Sequence, residues 1–154
     1  MLCISNLEGN LTLKLNFDEA VTEDTNCSDF EKWVTFTLRL DTINKFIEIN
    51  KSINAYMNFF EIKKIYQGLN NLLVATVDKH DERFTHHSSE NYFEITFEYF
   101  NIDDCFYVEL WFIIAGDQEG RITGYDTGFR FPVHNDEMKK FVKGFYEIYK
   151  NASQ

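Results

Sequence analysis

The sequence lacks most of the features that mark a specialised class of protein. Its 154 residues contain one proline, Pro132, and an odd number of cysteines, three, with no CxxC pair. Neither a disulfide framework nor a cysteine metal site is therefore predicted. No apolar run approaches the roughly 18 residues of a membrane helix, and the first residues lack the basic start of an export signal. We expect a cytoplasmic protein that does not contact a membrane.

Catalytic signatures are also missing. The chain contains no GxSxG elbow, phosphate loop, HExxH or GxGxxG motif. His86 and His87 are adjacent, so in a strand they would point to opposite sides and could not share a metal. We interpret them as a loop pair beside Ser88 and Ser89. The sequence thus predicts no catalytic residue, no metal, no cofactor and a protein that is not an enzyme.

Hydrophobic periodicity indicates both strands and helices. Strict alternation predicts strands at Leu11–Phe17 and Val34–Leu40, a hairpin partner for the second at Ile47–Ile53, and further strands at 92–100, 105–115 and about 125–133. Three- and four-residue spacing predicts a central helix after Asn58 and a C-terminal helix over 136–150. Gly68 lies inside the first helix, where it marks either a close crossing over the sheet or an early helix end.

This order of elements defines the fold class. Strands, helix, strands and helix without regular βαβ alternation predict an α+β protein with a mostly antiparallel sheet of about six to eight strands. Each of the two helices has one apolar stripe and should pack on the sheet. At 44% hydrophobic and 26% charged residues, with no linker, residues 1–154 are most simply one domain. The sequence shows no internal repeat, and Gly116–Gly120 is typical of a hairpin turn.

The formal charge of −10 is concentrated in one segment. Residues 81–119 contain ten acidic side chains and one basic one, a net charge of −9. Because phosphate affinity depends on Lys and Arg, we expect no nucleic-acid partner. A basic protein is the expected partner.

The acidic segment can be placed on a hairpin. If residues 101–104 form the loop, the residue numbers of each facing pair sum to 205. Phe97 then faces Val108 on an apolar side. On the other side Glu98 faces Tyr107, Thr96 faces Glu109 and Glu94 faces Trp111. With the two aspartates at the tip, these positions form the predicted partner-binding set: Glu94, Thr96, Glu98, Asp103, Asp104, Tyr107, Glu109 and Trp111.

Three interpretations of this acidic, aromatic face stay open. It is a solvated sheet face, or a binding surface in which Tyr107 and Trp111 are anchors and the carboxylates give specificity, or a pair of catalytic carboxylates. The third requires a cleft. We choose a non-enzymatic protein-binding module, with a small-molecule-binding domain or small enzyme that uses a carboxylate-lined pocket as the alternative. A homodimer is a further expectation.

The element order resembles one known family. The elements concerned are the strand Trp33–Leu40, the strand Phe46–Ile49, the helix opening at Phe59, the strand Tyr92–Phe97 and the closing helix with Phe141 and Phe145. Their order is similar to that of WapI-type immunity proteins of bacterial polymorphic toxin systems. The resemblance covers about residues 30–150. It implies a small cytoplasmic protein that binds and neutralises a cognate toxin domain, and it carries over no binding residues.

Overall fold

The computed structural model describes residues 1–20, 28–29, 31–50, 55–112 and 127–152. These residues form nine strands and two helices in the following order: β1 Leu2–Ser5, β2 Thr12–Ala20, β3 Trp33–Asp41, β4 Phe46–Ile49, β5 Tyr56–Asn58, α1 Phe59–Asp78, β6 Glu82–His87, β7 Phe93–Phe100, β8 Cys105–Phe112, β9 Thr127–Val133 and α2 Asn135–Ala152.

The strands form two antiparallel sheets, each followed by a helix. In sheet A the order is β1-β2-β3-β4, with β5 also paired to β3, and in sheet B it is β6-β7-β8-β9. Except for β5, neighbours along the chain are therefore neighbours in each sheet, as short connections favour. The fold repeats one topology, a four-stranded meander and then a helix, although no repeat is visible in the sequence.

Alternating side chains give each sheet one buried face. In β3 the side chains of Val34, Phe36, Leu38 and Leu40 are buried, and those between them are half-buried. The two inner faces meet in one core, where the ring of Phe36 lies 5.7 Å from that of Phe93 in β7. Both helices also line this core, and the ring of Phe141 in α2 lies 6.1 Å from that of Phe97. The outer faces of the two sheets therefore point away from the shared core.

Helix α1 begins at a capping box. The backbone N–H of Glu61 donates to the side-chain oxygen of Asn58 at 2.9 Å, and the backbone N–H of Asn58 donates to the Glu61 carboxylate at 3.3 Å. This satisfies two backbone donors that a helix start leaves unpaired. The helix ends at Lys79, whose φ of 53° places it in the left-handed region.

Gly68 marks a close crossing of α1 over sheet B. A Cβ atom at this position would lie 2.2 Å from the ring of Phe84 in β6. The helix continues ten residues beyond Gly68, to Asp78. The prediction of a close crossing is thus confirmed, and the alternative of an early helix end is wrong.

The Glu61 carboxylate also joins α1 to the connection between β6 and β7. It accepts hydrogen bonds from the backbone N–H of Ser89 at 3.0 Å and from the Ser89 hydroxyl at 2.9 Å. Nε2 of His86 lies 3.4 Å from Oε1. Burial alone raises the pKa of Glu61, but the contacts with His86, Ser89 and Asn58 outweigh it and hold that pKa below the ordinary 4.5.

The α+β class, the antiparallel pairing and the central and C-terminal helices are confirmed. The short strands β1, β5 and β6 were not predicted. The interpretation of His86 and His87 as a loop pair is wrong, because both lie in β6, where His86 is buried and His87 is exposed. The predicted turn at 116–120 lies outside the described residues. Neither α1 nor α2 is long and apolar enough to cross a membrane.

Replacing Gly68 by Ala tests the crossing. Ala is the better helix former by about 1 kcal/mol, but the added methyl would collide with the Phe84 ring, and overpacking costs about 1–3 kcal/mol. We expect Gly68→Ala to lower the free energy of unfolding in urea. The control Gln67→Ala, at an exposed position of the same helix, should change it by less than about 0.5 kcal/mol. A more stable Gly68→Ala protein would contradict the crossing.

The lowered pKa of Glu61 predicts a pH-dependent stability. A carboxyl group with a depressed folded-state pKa stabilises the fold above its ordinary value of 4.5 and loses that contribution as the pH falls. We expect Glu61→Gln to lower the free energy of unfolding by about 1.5–3 kcal/mol at neutral pH. The difference from the parent protein should shrink when denaturation is repeated below pH 4.5. Exposed Glu147 on α2 gives the control, Glu147→Gln. An equal difference at both pH values would contradict the role of the Glu61 charge.

Candidate functional site

The β7–β8 hairpin has the predicted register. Phe97 faces Val108, Glu98 faces Tyr107, Thr96 faces Glu109 and Glu94 faces Trp111. The two-residue period therefore places six of the eight predicted partner-binding positions on the outer face of sheet B: Glu94, Thr96, Glu98, Tyr107, Glu109 and Trp111.

Of the eight predicted positions only Thr96 is buried, whereas Asp103 and Asp104 at the hairpin tip are exposed. Thr96 is only 3% exposed, and its hydroxyl lies 2.8 Å from that of Thr85. Asp103 is exposed at the hairpin tip. The carboxylate of Asp104 accepts hydrogen bonds from Asn135 and from the Tyr99 hydroxyl, both at 2.9 Å, and these bonds lower the pKa of Asp104. Asp104 thus links the hairpin tip to α2.

Side chains from outside the hairpin contact its carboxylates, and one of them, Arg130, is a cation. Nη2 of Arg130 in β9 lies 3.2 Å from the carboxylate of Glu98, and its Nε lies 4.0 Å from that of Glu109. Nδ1 of His87 lies 3.0 Å from the Glu94 carboxylate. The net charge of −9 was counted over residues 81–119 and does not include Arg130. This face is therefore less negative than the sequence segment.

The aromatic side chains of this face are held by neighbours. The indole N–H of Trp111 donates to the Glu109 carboxylate at 2.7 Å. A Cβ atom at Gly128 would lie 2.5 Å from the Trp111 ring, so the indole covers this glycine. The Arg130 guanidinium lies 5.1 Å from the centre of the Tyr107 ring. A shallow groove of about 400 Å³ runs beside this pair, lined by Phe100, Asp103, Tyr107, Arg130 and Pro132.

The outer face of sheet A has a different composition. One row across its four strands consists of Cys3, Lys14, Arg39 and Glu48. The next row toward the β3–β4 turn pairs Asp41 with Phe46, and Tyr56 faces Thr35 nearer the start of β3. The outward-facing residues described in sheet A include two cations, Lys14 and Arg39, and two anions, Asp41 and Glu48. Aromatic side chains lie on either side of these four residues.

An ion network fixes the cations of this face. The Asp41 carboxylate contacts Nζ of Lys14 at 2.5 Å and Nε of Arg39 at 2.6 Å. The hydrogen bonds from Lys14 and then Arg39 hold the pKa of Asp41 below its ordinary value. The guanidinium carbon of Arg39 lies 3.8 Å from the centre of the Phe46 ring, and Phe46 is 53% exposed. Each partner is only partly exposed, so the network is a surface feature with fixed geometry.

These side chains border an open groove of about 320 Å³, lined by Met1, Lys14, Asn16, Thr37, Arg39 and Glu48. This site was not predicted from the sequence. Alternation at Leu13–Leu15 and at Val34–Leu40 already placed Lys14 and Arg39 outward. It could not show that β2 and β3 bring them side by side. No group of three or more His, Cys, Asp or Glu side chains in the described residues could hold a metal ion.

Comparisons with known proteins reveal a distant likeness only. No family model matches the chain, and no curated protein matches it. Among solved structures, the plant transcriptional regulator PBF-2 has a TM-score of 0.43 and 14% identity, over 90% of this chain and 74% of that chain. WHY1 from Arabidopsis thaliana has a TM-score of 0.44 and 13% identity, over 90% of this chain and 76% of that chain. At these TM-scores the likeness transfers no activity to the protein.

These neighbours contradict the predicted function. One is named as a transcriptional regulator and neither is named as an immunity protein, so the prediction of toxin neutralisation is wrong. The predicted basic protein partner and the exclusion of nucleic acid are contradicted as well. The exclusion relied on the total charge of the chain, whereas the outer face of sheet A is locally balanced. The resemblance to the WapI-type family and the binding role of the eight positions stay predictions.

Replacing Gly128 by Ala tests the geometry of Trp111. The new methyl would occupy space now filled by the indole, which should move and lose its hydrogen bond to Glu109. In a Trp33→Phe background, we expect Gly128→Ala to shift Trp111 emission to longer wavelength and to increase its quenching by acrylamide. Thr127→Ala, which faces the inner side of β9, is the control. Unchanged emission with intact circular dichroism would contradict the described packing.

Proposed function

We propose that the protein binds single-stranded nucleic acid on the outer face of sheet A. The observation that carries this proposal is a groove with two fixed cations, Lys14 and Arg39, on a sheet face that also presents aromatic rings. Lys14 and Arg39 stand side by side in that groove, and Phe46 lies beneath the Arg39 guanidinium. Tyr56 in β5 is half-buried and faces Thr35 of β3. Cationic grooves with aromatic platforms are the usual means by which proteins hold unpaired strands.

Stacking favours an unpaired strand over a duplex. Phe46 is 53% exposed, and the planar guanidinium of Arg39 lies over its ring at 3.8 Å. Bases stack on aromatic rings and on guanidinium planes, but only when they are not already stacked in a helix. The described residues of sheet A present a sheet face with no helix projecting from it. Such a face meets splayed bases more readily than the major groove of a duplex.

The distribution of charge is compatible with this ligand. The net −9 of residues 81–119 belongs mainly to sheet B and its connections. The outer face of sheet B points away from the shared core on the opposite side from that of sheet A. Phosphates on sheet A would therefore approach Lys14 and Arg39 while the carboxylates of β7 and β8 lie behind the core. With few cations, we expect modest affinity and a shallow dependence on salt, because the slope of log K against log salt scales with the number of phosphates neutralised. The predicted cytoplasmic location suits such a ligand and is part of this proposal.

The proposal predicts a specific loss on removing the two cations. We expect a fluorescein-labelled oligothymidine of about 15 nucleotides, near the upper site size of a single domain, to bind in anisotropy titrations. Lys14→Ala with Arg39→Ala should weaken binding at least about tenfold and reduce the slope of log K against log salt by about 1.4. The slope separates lost phosphate contacts from a general loss of fold, which thermal denaturation checks.

The matched control removes one lysine and one arginine elsewhere, as Lys64→Ala with Arg83→Ala. Both are exposed, on α1 and β6, and this control should retain most of the affinity. Equal losses in the two double variants, or no binding of any single strand at low salt, would overturn the proposed function.

A further inference from the structure

Resting on the proposed function, we infer that the sheet A groove is a guanine-selective subsite in which Glu48 is the specificity-determining residue. Glu48 stands next to Arg39 in the row across β2, β3 and β4. Among the described residues that line the groove, it is the one carboxylate. A carboxylate at this place does nothing for phosphate binding, which it opposes. Its contacts with Arg39 and Asn50 hold it at the groove, where its acceptor oxygens suit a ligand that brings hydrogen-bond donors.

The carboxylate of Glu48 is held in place and has spare acceptor capacity. Its Oε1 accepts from the side-chain amide of Asn50 at 2.6 Å, and its Oε2 lies 3.4 Å from Nη1 of Arg39. A carboxylate has about four lone-pair sites, more than these two contacts use. The side chain is 23% exposed. Glu48 therefore presents acceptors to the groove in a geometry set by its neighbours.

Arg39 supplies the complementary donors. Its Nε contacts Asp41 at 2.6 Å and its Nη1 contacts Glu48 at 3.4 Å. A guanidinium carries five N–H groups in a planar fork, more than these two contacts engage. Donor and acceptor groups thus stand side by side at adjacent strand positions, about 4.8 Å apart in strand spacing.

Guanine matches this pattern better than the other bases. Its Watson–Crick edge offers the O6 acceptor followed by two adjacent donors, N1–H and the N2 amino group. The two donors suit a bidentate contact with the Glu48 carboxylate, while O6 faces the Arg39 guanidinium. Adenine and cytosine each present one donor group beside ring acceptors, and thymine presents a single N–H between two acceptors. Only an unpaired base exposes this edge.

The test compares oligothymidines that carry one central substitution. A single guanine should bind about 5- to 150-fold more tightly than thymine, adenine or cytosine at that position. Inosine, which lacks the N2 amino group, should lose part of the preference. Glu48→Gln replaces one acceptor oxygen by a donor and should bring the ratio of guanine to thymine affinity close to one. Glu147→Gln on α2 makes the same change of charge and should keep the ratio.

The outcomes separate this inference from the proposed function. If single strands bind and respond to Lys14 and Arg39, but guanine is not preferred, the guanine subsite is wrong and the proposed function stands. If the preference survives in Glu48→Gln, Glu48 does not determine it. If no strand binds, the proposed function fails, and the subsite fails with it. The ratio is the decisive readout, because a merely structural role of Glu48 would weaken all four oligonucleotides alike.

Discussion

The buried carboxylate of Glu61 is the contact on which the joining of the two halves depends. It closes the capping box at the start of α1 and accepts two hydrogen bonds from Ser89, 28 positions along the chain. One charge thereby sets both where α1 begins and where the β6–β7 connection lies against it. Taking a carboxylate out of water is costly unless its lone pairs are satisfied. In the structure the donors of Asn58 and Ser89 meet this requirement, and they tie the start of α1 to the β6–β7 connection of sheet B.

The sequence predicted what local patterns determine. Strict alternation placed β2 and β3, helical spacing placed both helices, and Asn58 indicated the helix start, although the part that Glu61 plays in the capping box was not predicted. The register of β7 and β8 followed from a short turn and two apolar sides. The short strands β1 and β5 contain too few residues to show a period, and the polar β6 has no alternating apolar set. Their pairing depends on partners elsewhere in the chain.

The candidate sites illustrate the same limit. Arg130 lies between Glu98 and Glu109 only because β9 pairs with β8, and no feature within the hairpin indicates this. Lys14, Arg39 and Glu48 are 25 and 9 residues apart, yet they form one row because β2, β3 and β4 align them. A sum of charges along a segment therefore describes a surface poorly when neighbouring strands bring compensating groups. Residues 81–119 are acidic as a segment of sequence, but the outer face of sheet B is less negative because Arg130 of β9 also lies on it.

The carboxylates of β7 and β8 also help to choose the register of their own hairpin. In the observed pairing Glu109 faces Thr96, with Glu94 and Glu98 one step to either side. A slip of one residue would turn apolar side chains to solvent, but a slip of two would keep every side chain on its proper face. Either two-residue slip would set Glu109 directly opposite Glu94 or Glu98, and like charges directly opposite each other are destabilising. The spacing of three glutamates thus disfavours the misaligned hairpins that hydrophobic alternation alone would tolerate, whatever ligand the protein binds.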